Sequence, residues 1–87
     1  MERDGKGLVR VRVKMASVLL KKADPPLASR EFDLEVPRGT DAGGLIDALG
    51  VPRRLVGSVT VNNRRSALDR SLGEGDLVAI IPAISGG

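Results

Sequence analysis

The sequence predicts an α+β domain: a mixed sheet with one main helix packed on one of its faces. Three observations predict it. Two N-terminal segments alternate apolar and charged residues, a capped segment with helical apolar spacing follows, and two further strand-like segments come after it. At 87 residues, 41% apolar and 29% charged, the chain supports one hydrophobic core.

Residues 1–7 (MERDGKG) are polar and read as a flexible lead-in. Residues 8–14 (LVRVRVK) alternate cleanly, which predicts a first strand with one buried face. The next segment, MASVLLKK, loses that period, and a short helical turn can start at Ser17 before Pro25 and Pro26 break it. Residues 30–36 (REFDLEV) alternate again, with Phe32, Leu34 and Val36 on one face, and Pro37 and Gly39 end this second strand.

Thr40 or Asp41 can cap a helix running through Leu49, with Leu45, Ile46 and Leu49 at helical spacing and Gly50 as the stop. Gly43 and Gly44 lower its intrinsic propensity and are expected to permit close packing against the sheet. A further turn follows over 52–55. SVTVN (58–62) predicts a third strand, closed by a turn beginning at Asn62 and Asn63. Residues 66–72 read as a connector anchored by Leu68 and Leu72, and GEGD (73–76) as a tight turn. The unbroken apolar run LVAII (77–81) predicts a strand inside the sheet, buried on both faces.

The absences are as informative. The chain has no Cys, His, Trp or Tyr, and Phe32 is its one aromatic residue, so thiol chemistry, thiolate or imidazole metal sites and a neutral-pH proton shuttle are excluded. The net charge is a mild +3. Arg10, Arg12 and Lys14 line one strand face, and Arg53, Arg54, Arg64, Arg65 and Arg70 lie later; a solvated charged face competes here with a nucleic-acid surface. Single-strand binding modules stack bases on aromatic rings, and this chain offers only Phe32, so no nucleic-acid partner is expected. No stretch reaches the roughly 18 apolar residues of a membrane span. No membrane partner and a cytoplasmic location are therefore the expectation.

After Asp76 the sequence carries no charged side chain: LVAIIPAISGG. Pro82 cannot donate to a ladder, so the domain is expected to cover 8–81 and residues 82–87 to form an extended tail. Two glycines let a backbone pass through a channel too narrow for any Cβ and deliver a terminal carboxylate to a partner's active site.

The strand SVTVN with its Asn-led turn, the connector ALDRSL, the turn GEGD before the last strand and the terminal SGG together resemble the small ubiquitin-like sulfur carriers, represented by the small subunit of molybdopterin synthase and the thiamine-biosynthesis sulfur carrier. The resemblance implies a β-grasp (ubiquitin-like) fold of four to five strands, and a carrier without catalytic side chains of its own. By position, Gly87 would be adenylated and then converted to a thiocarboxylate, with Gly86, Ser85, Ile84, Ala83 and Pro82 as the tail that partners grip. No cofactor would be bound; ATP would be consumed by an adenylating enzyme of the ubiquitin-activating type. A sulfurtransferase or cysteine desulfurase would supply sulfur to an acceptor such as the molybdopterin synthase large subunit. Pro82 favours the molybdopterin side over a thiamine-type or cysteine-synthesis carrier, and a modifier conjugated to other proteins through Gly87 is a further alternative. The resemblance also implies a docking patch on the sheet face away from the helix. Val59 or Val61 is a candidate for it, with plain core as the competing reading, and Arg64, Arg65 and Arg70 are candidates for its rim.

Overall fold

The computed structural model describes residues 7–83. Strand β1 (Leu8–Met15) turns Val9, Val11, Val13 and Met15 inward and its charged residues outward, as the alternation requires. A short helix, α1 (Ser17–Leu20), buries Leu19. Strand β2 (Glu31–Pro37) pairs antiparallel with β1, setting Arg10 opposite Glu35, Arg12 opposite Asp33 and Lys14 opposite Glu31. Phe32 and Leu34 are half-buried on its inner face.

The main helix, α2 (Ala42–Ala48), starts where the capping chemistry predicts. The Asp41 carboxylate accepts the Gly44 N–H at 2.7 Å. The preceding two donors are satisfied from outside: Ala42 N–H by the Arg70 carbonyl at 3.0 Å, and Gly43 N–H by that of Leu68 at 2.8 Å. The connector after β4 is thus tied to the helix start through its backbone. Leu45, Ile46 and Leu49 enter the core. Gly50 ends the helix at φ +72°, and a Cβ there would lie 2.5 Å from the Asp24 carbonyl oxygen, so both the left-handed backbone and the close approach require glycine. The nearest neighbour of Gly43 is a side chain rather than a sheet backbone. A Cβ on it would meet the Arg53 guanidinium at 2.7 Å, and the space it leaves is filled by that side chain.

A 3₁₀ turn (Arg53–Leu55) leads into β3 (Val56–Val61). Asn62 and Asn63, at φ 54° and 68°, form the two-residue turn to β4 (Arg64–Ser66), a short fifth strand within what the sequence presents as turn and connector. Of the two expected anchors of the connector, Leu72 is buried, whereas Leu68 is 40% exposed. Strand β5 (Leu77–Pro82) takes in Pro82, one residue past the expected boundary. The sheet order is β2-β1-β5-β3-β4, with β5 parallel to β1 and antiparallel to β3, so the last strand is the central one. The core between sheet and α2 is aliphatic, with Val78 and Ile80 of β5 among its fully buried residues.

Candidate docking face and tail exit

The helix covers one face of the sheet; among the described residues, no helix or strand covers the other. Register identifies what that open face presents. Leu77 and Ala79 of β5 sit beside Arg12 and Lys14 of β1, while Ala79 and Ile81 sit beside Thr60 and Ser58 of β3. The result is a central stripe of Leu77, Ala79 and Ile81, half-buried to 39% exposed, between a basic row and a hydroxyl row. The expectation that 77–81 is buried on both faces is therefore corrected: Val78 and Ile80 point into the core, and the intervening residues meet solvent. A run in which every residue is apolar hides its own alternation.

Val59 and Val61 are not part of this face. They are 1% and 0% exposed and belong to the core, because they share the inner side of the sheet with Ile80 and Val78. Arg64 pairs with Val61 on the helix side of the hairpin, whereas Arg65 pairs with Thr60 and so reaches the rim of the open face. Arg70 is exposed on the connector. Of the residues expected at the patch, Val59 and Val61 are buried and Arg64 is on the helix side, while Arg65 is at the edge of the open face; the apolar residues of that face are Leu77, Ala79 and Ile81.

The basic row of β1 is largely matched by β2. Arg12 donates to Glu31 at 2.9 Å and to Asp33 at 3.0 Å, and Arg10 approaches Glu35 at 3.5 Å. The hydrogen bond from Arg12 holds the Glu31 carboxyl below the usual glutamate range, and the same contacts, with Glu31 first, hold the Arg12 guanidinium above its ordinary value. Lys14 is outside these ion pairs and stands at the end of the stripe near Ile81.

At that end the chain leaves the sheet. β1 stops at Met15 opposite Ile80, so beyond this point β5 is supported only from the β3 side. Val56 pairs with Pro82, and the Ala83 N–H donates to the Leu55 carbonyl at 2.8 Å, one bond past the proline. An open groove of about 740 Å³ lies where β1 ends, with Lys14, Ala16, Arg30, Ile81 and Pro82 among its walls. Pro82 and Ala83 of the expected tail are placed here; Ile84, Ser85, Gly86 and Gly87 lie outside the described residues. Among the described residues no cluster of three or more His, Cys, Asp or Glu has metal-binding geometry, and no helix is long and apolar enough to cross a membrane.

Three similar solved structures frame this arrangement. SAMP1 from Haloferax volcanii is 25% identical, with 90% of this chain and 99% of that chain covered and a TM-score of 0.66. A protein from Pyrococcus furiosus assigned as molybdopterin converting factor subunit 1 shares 22% identity over 87% of this chain and 99% of its own, with a TM-score of 0.63. Urm1 from Trypanosoma brucei shares 21% identity over 92% and 97%, with a TM-score of 0.62. No curated protein matches the chain significantly. The fold is the ubiquitin-like β-grasp, and since residues 9–86 match the Mut7-C ubiquitin family, the chain belongs to that family.

Proposed function

We propose that this protein is a ubiquitin-like sulfur carrier whose Gly87 carboxylate is the reacting group. The observation that carries the reading is the path of β5. The central strand of the sheet bears the uncovered Leu77, Ala79 and Ile81 stripe and hands the chain off at Ala83, and the family match continues through residue 86. A partner seated on the stripe is therefore beside the origin of the tail.

The chemistry needs no side chain from the carrier. A carboxylate is a poor electrophile until its oxygen is turned into a leaving group. Attack of the Gly87 carboxylate on the α-phosphate of ATP, in the active site of an adenylating enzyme, gives an acyl adenylate and releases pyrophosphate. The terminal sulfur of a persulfide on a sulfurtransferase or cysteine desulfurase then attacks the acyl carbon and displaces AMP, giving an acyl disulfide. A second thiol attacks the donor's sulfur, forms a disulfide with it and releases the thiocarboxylate for an acceptor enzyme. Glycine at the reacting position leaves the carbonyl unhindered. The likeness to a molybdopterin converting factor subunit supports delivery to molybdopterin synthesis, consistent with Pro82 closing β5 just before the tail. The likeness to SAMP1, at higher identity, supports a second reading in which a lysine amine attacks the same adenylate and the chain modifies proteins.

Intact mass spectrometry after incubation with ATP, a matched adenylating enzyme and a sulfur source tests this. A mass gain of one sulfur-for-oxygen exchange, absent when Gly87 is deleted, is the expected result. Conjugates of higher mass joined through Gly87 establish the modifier, and activation that persists without Gly87 overturns both.

A further inference from the structure

A second surface, at the free edge of β3 and remote from the stripe's basic border, has the features of a peptide site. β4 pairs with β3 only at Val59, Thr60 and Val61. The first half of β3, from Val56 to Ser58, therefore has β5 on one side and no strand on the other. Gly57 lies at a register shift within this segment and is exposed. Beside the open edge lies a groove of about 240 Å³, with Ile46 and Val59 as an aliphatic floor, Leu68 and Ala67 on one wall, and Arg53 and Arg65 among its lining. Leu68, 40% exposed, is one of only four large apolar side chains that the described residues leave so open.

The segment that supplies most of the groove's lining is basic. Residues 51–70 contain Arg53, Arg54, Arg64, Arg65 and Arg70 against Asp69 alone, a balance of +4 in a chain whose total is +3. The whole basic surplus of the protein is in this segment. Arg53 is bound to Asp47, but Arg54, Arg64 and Arg65 form no ion pair among the described residues.

We propose that this edge docks an extended partner segment that alternates aliphatic and acidic residues. Added beside Val56–Ser58, such a segment sends alternate side chains to the two faces of the sheet. Those on the helix side enter the groove over Ile46 and against Leu68. Those on the other side meet the rim at Arg65, whose guanidinium forms no ion pair among the described residues and can take a carboxylate. The shift at Gly57 limits the added ladder to a few residues, so the groove and the arginines supply the rest of the recognition. A nucleic acid is the less suitable ligand, since the one aromatic ring, Phe32, is on β2 at the far edge of the sheet.

The test is amide-shift mapping of the intact ¹⁵N-labelled protein titrated with a blocked peptide, acetyl-Glu-Val-Glu-Ile-Glu-Val-amide, at low and moderate salt. Saturable shifts centred on Gly57, Ser58, Arg65, Ser66 and Leu68 are expected, with affinity falling as salt rises. The analogue with lysine for glutamate, and the variants Arg65→Glu and Leu68→Ser, should each bind at least about 10-fold more weakly, a change near 1.4 kcal/mol. Unchanged melting temperatures and dispersed spectra would show that the variants remain folded. Deleting residues 84–87 should leave binding intact, which separates this site from the tail chemistry. The proposal is overturned by absence of saturable shifts, by shifts centred on β2 or on Leu77 and Ile81, by the same amides moving with protein concentration alone, or by tighter binding of oligothymidylate than of the peptide.

Discussion

Asn62 and Asp76 are hydrogen-bonded across two turns: the Asn62 Nδ2 donates to Asp76 Oδ1 at 2.9 Å. The other end of the Asn62 carboxamide accepts the Leu77 N–H at 2.9 Å, and the second Asp76 oxygen accepts the Gly73 N–H at 2.7 Å. One side-chain pair thus fastens the β3–β4 hairpin to the entry of β5. Asn62→Ala removes both of its contacts at a residue with φ 54° and should cost about 2–4 kcal/mol in urea unfolding. Asn63, at φ 68° without a comparable side-chain role, should tolerate glycine with no loss and lose about 1–2 kcal/mol as Asn63→Val. Equal effects of Asn63→Gly and Asn63→Val would refute the turn argument.

Gly50→Ala should be among the most damaging single-methyl additions in the chain. The left-handed backbone costs about 1–2 kcal/mol, and the new Cβ meets the backbone of Asp24 rather than a side chain that can swing away. Gly43→Ala meets first the flexible end of Arg53 and should be better tolerated. Thermal melts of the two variants distinguish the sites; a Gly50→Ala melt matching the parent would contradict the geometry.

The two sides of the sheet should respond oppositely to substitution. Val59→Ala opens a hole in the core and should cost about 2–3 kcal/mol, with adenylation per folded molecule preserved. Ile81→Ser, on the open face, should change stability by less than about 1 kcal/mol and slow adenylation by an adenylating enzyme at least about 10-fold. Denaturant titration combined with an ATP–pyrophosphate exchange assay reads both. Normal exchange by Ile81→Ser would remove the stripe from the docking face.

Acid should weaken the fold through two identified carboxyls. Hydrogen bonds from Arg12 and Arg53 depress Glu31 and Asp47, respectively, below their ordinary ranges. Each binds a proton more readily in the unfolded chain, so the contribution is complete above the ordinary carboxylate range and is lost as pH falls through the lower, folded value. Urea midpoints should therefore drop on acidification below about pH 4, less steeply in Arg12→Ala and Arg53→Ala. Both pairs are exposed, so added salt should flatten the difference.

Much of the fold is legible because burial on one face imposes a period. LVRVRVK and EFDLEV disclose both their strands and their inward residues, and Asp41, Gly50 and the Asn62–Asn63 turn mark element ends through chemistry that depends on local backbone alone. β4 is illegible for the converse reason: Arg64, Arg65 and Ser66 contribute no apolar face, and the strand exists because a two-residue turn lays its backbone against β3. The site is less legible than the fold. Which parity of β3 and β5 faces the helix is decided by tertiary packing, so SVTVN does not reveal that Val59 and Val61 turn inward, and LVAII does not reveal that Leu77 and Ile81 turn out. Nothing local to Gly43 reveals that its nearest neighbour is the side chain of Arg53, ten positions later.

The central position of β5 also determines how the protein bears load. A partner that pulls on the chain beyond Ala83 along the strand axis strains the ladders to β1 and β3 together, in shear, with bonds on both flanks resisting in parallel. An edge strand such as β2 or β4, drawn sideways, would release its bonds one after another. A handle attached to the middle of the sheet can be tugged into an active site and withdrawn while the body that carries it keeps its shape.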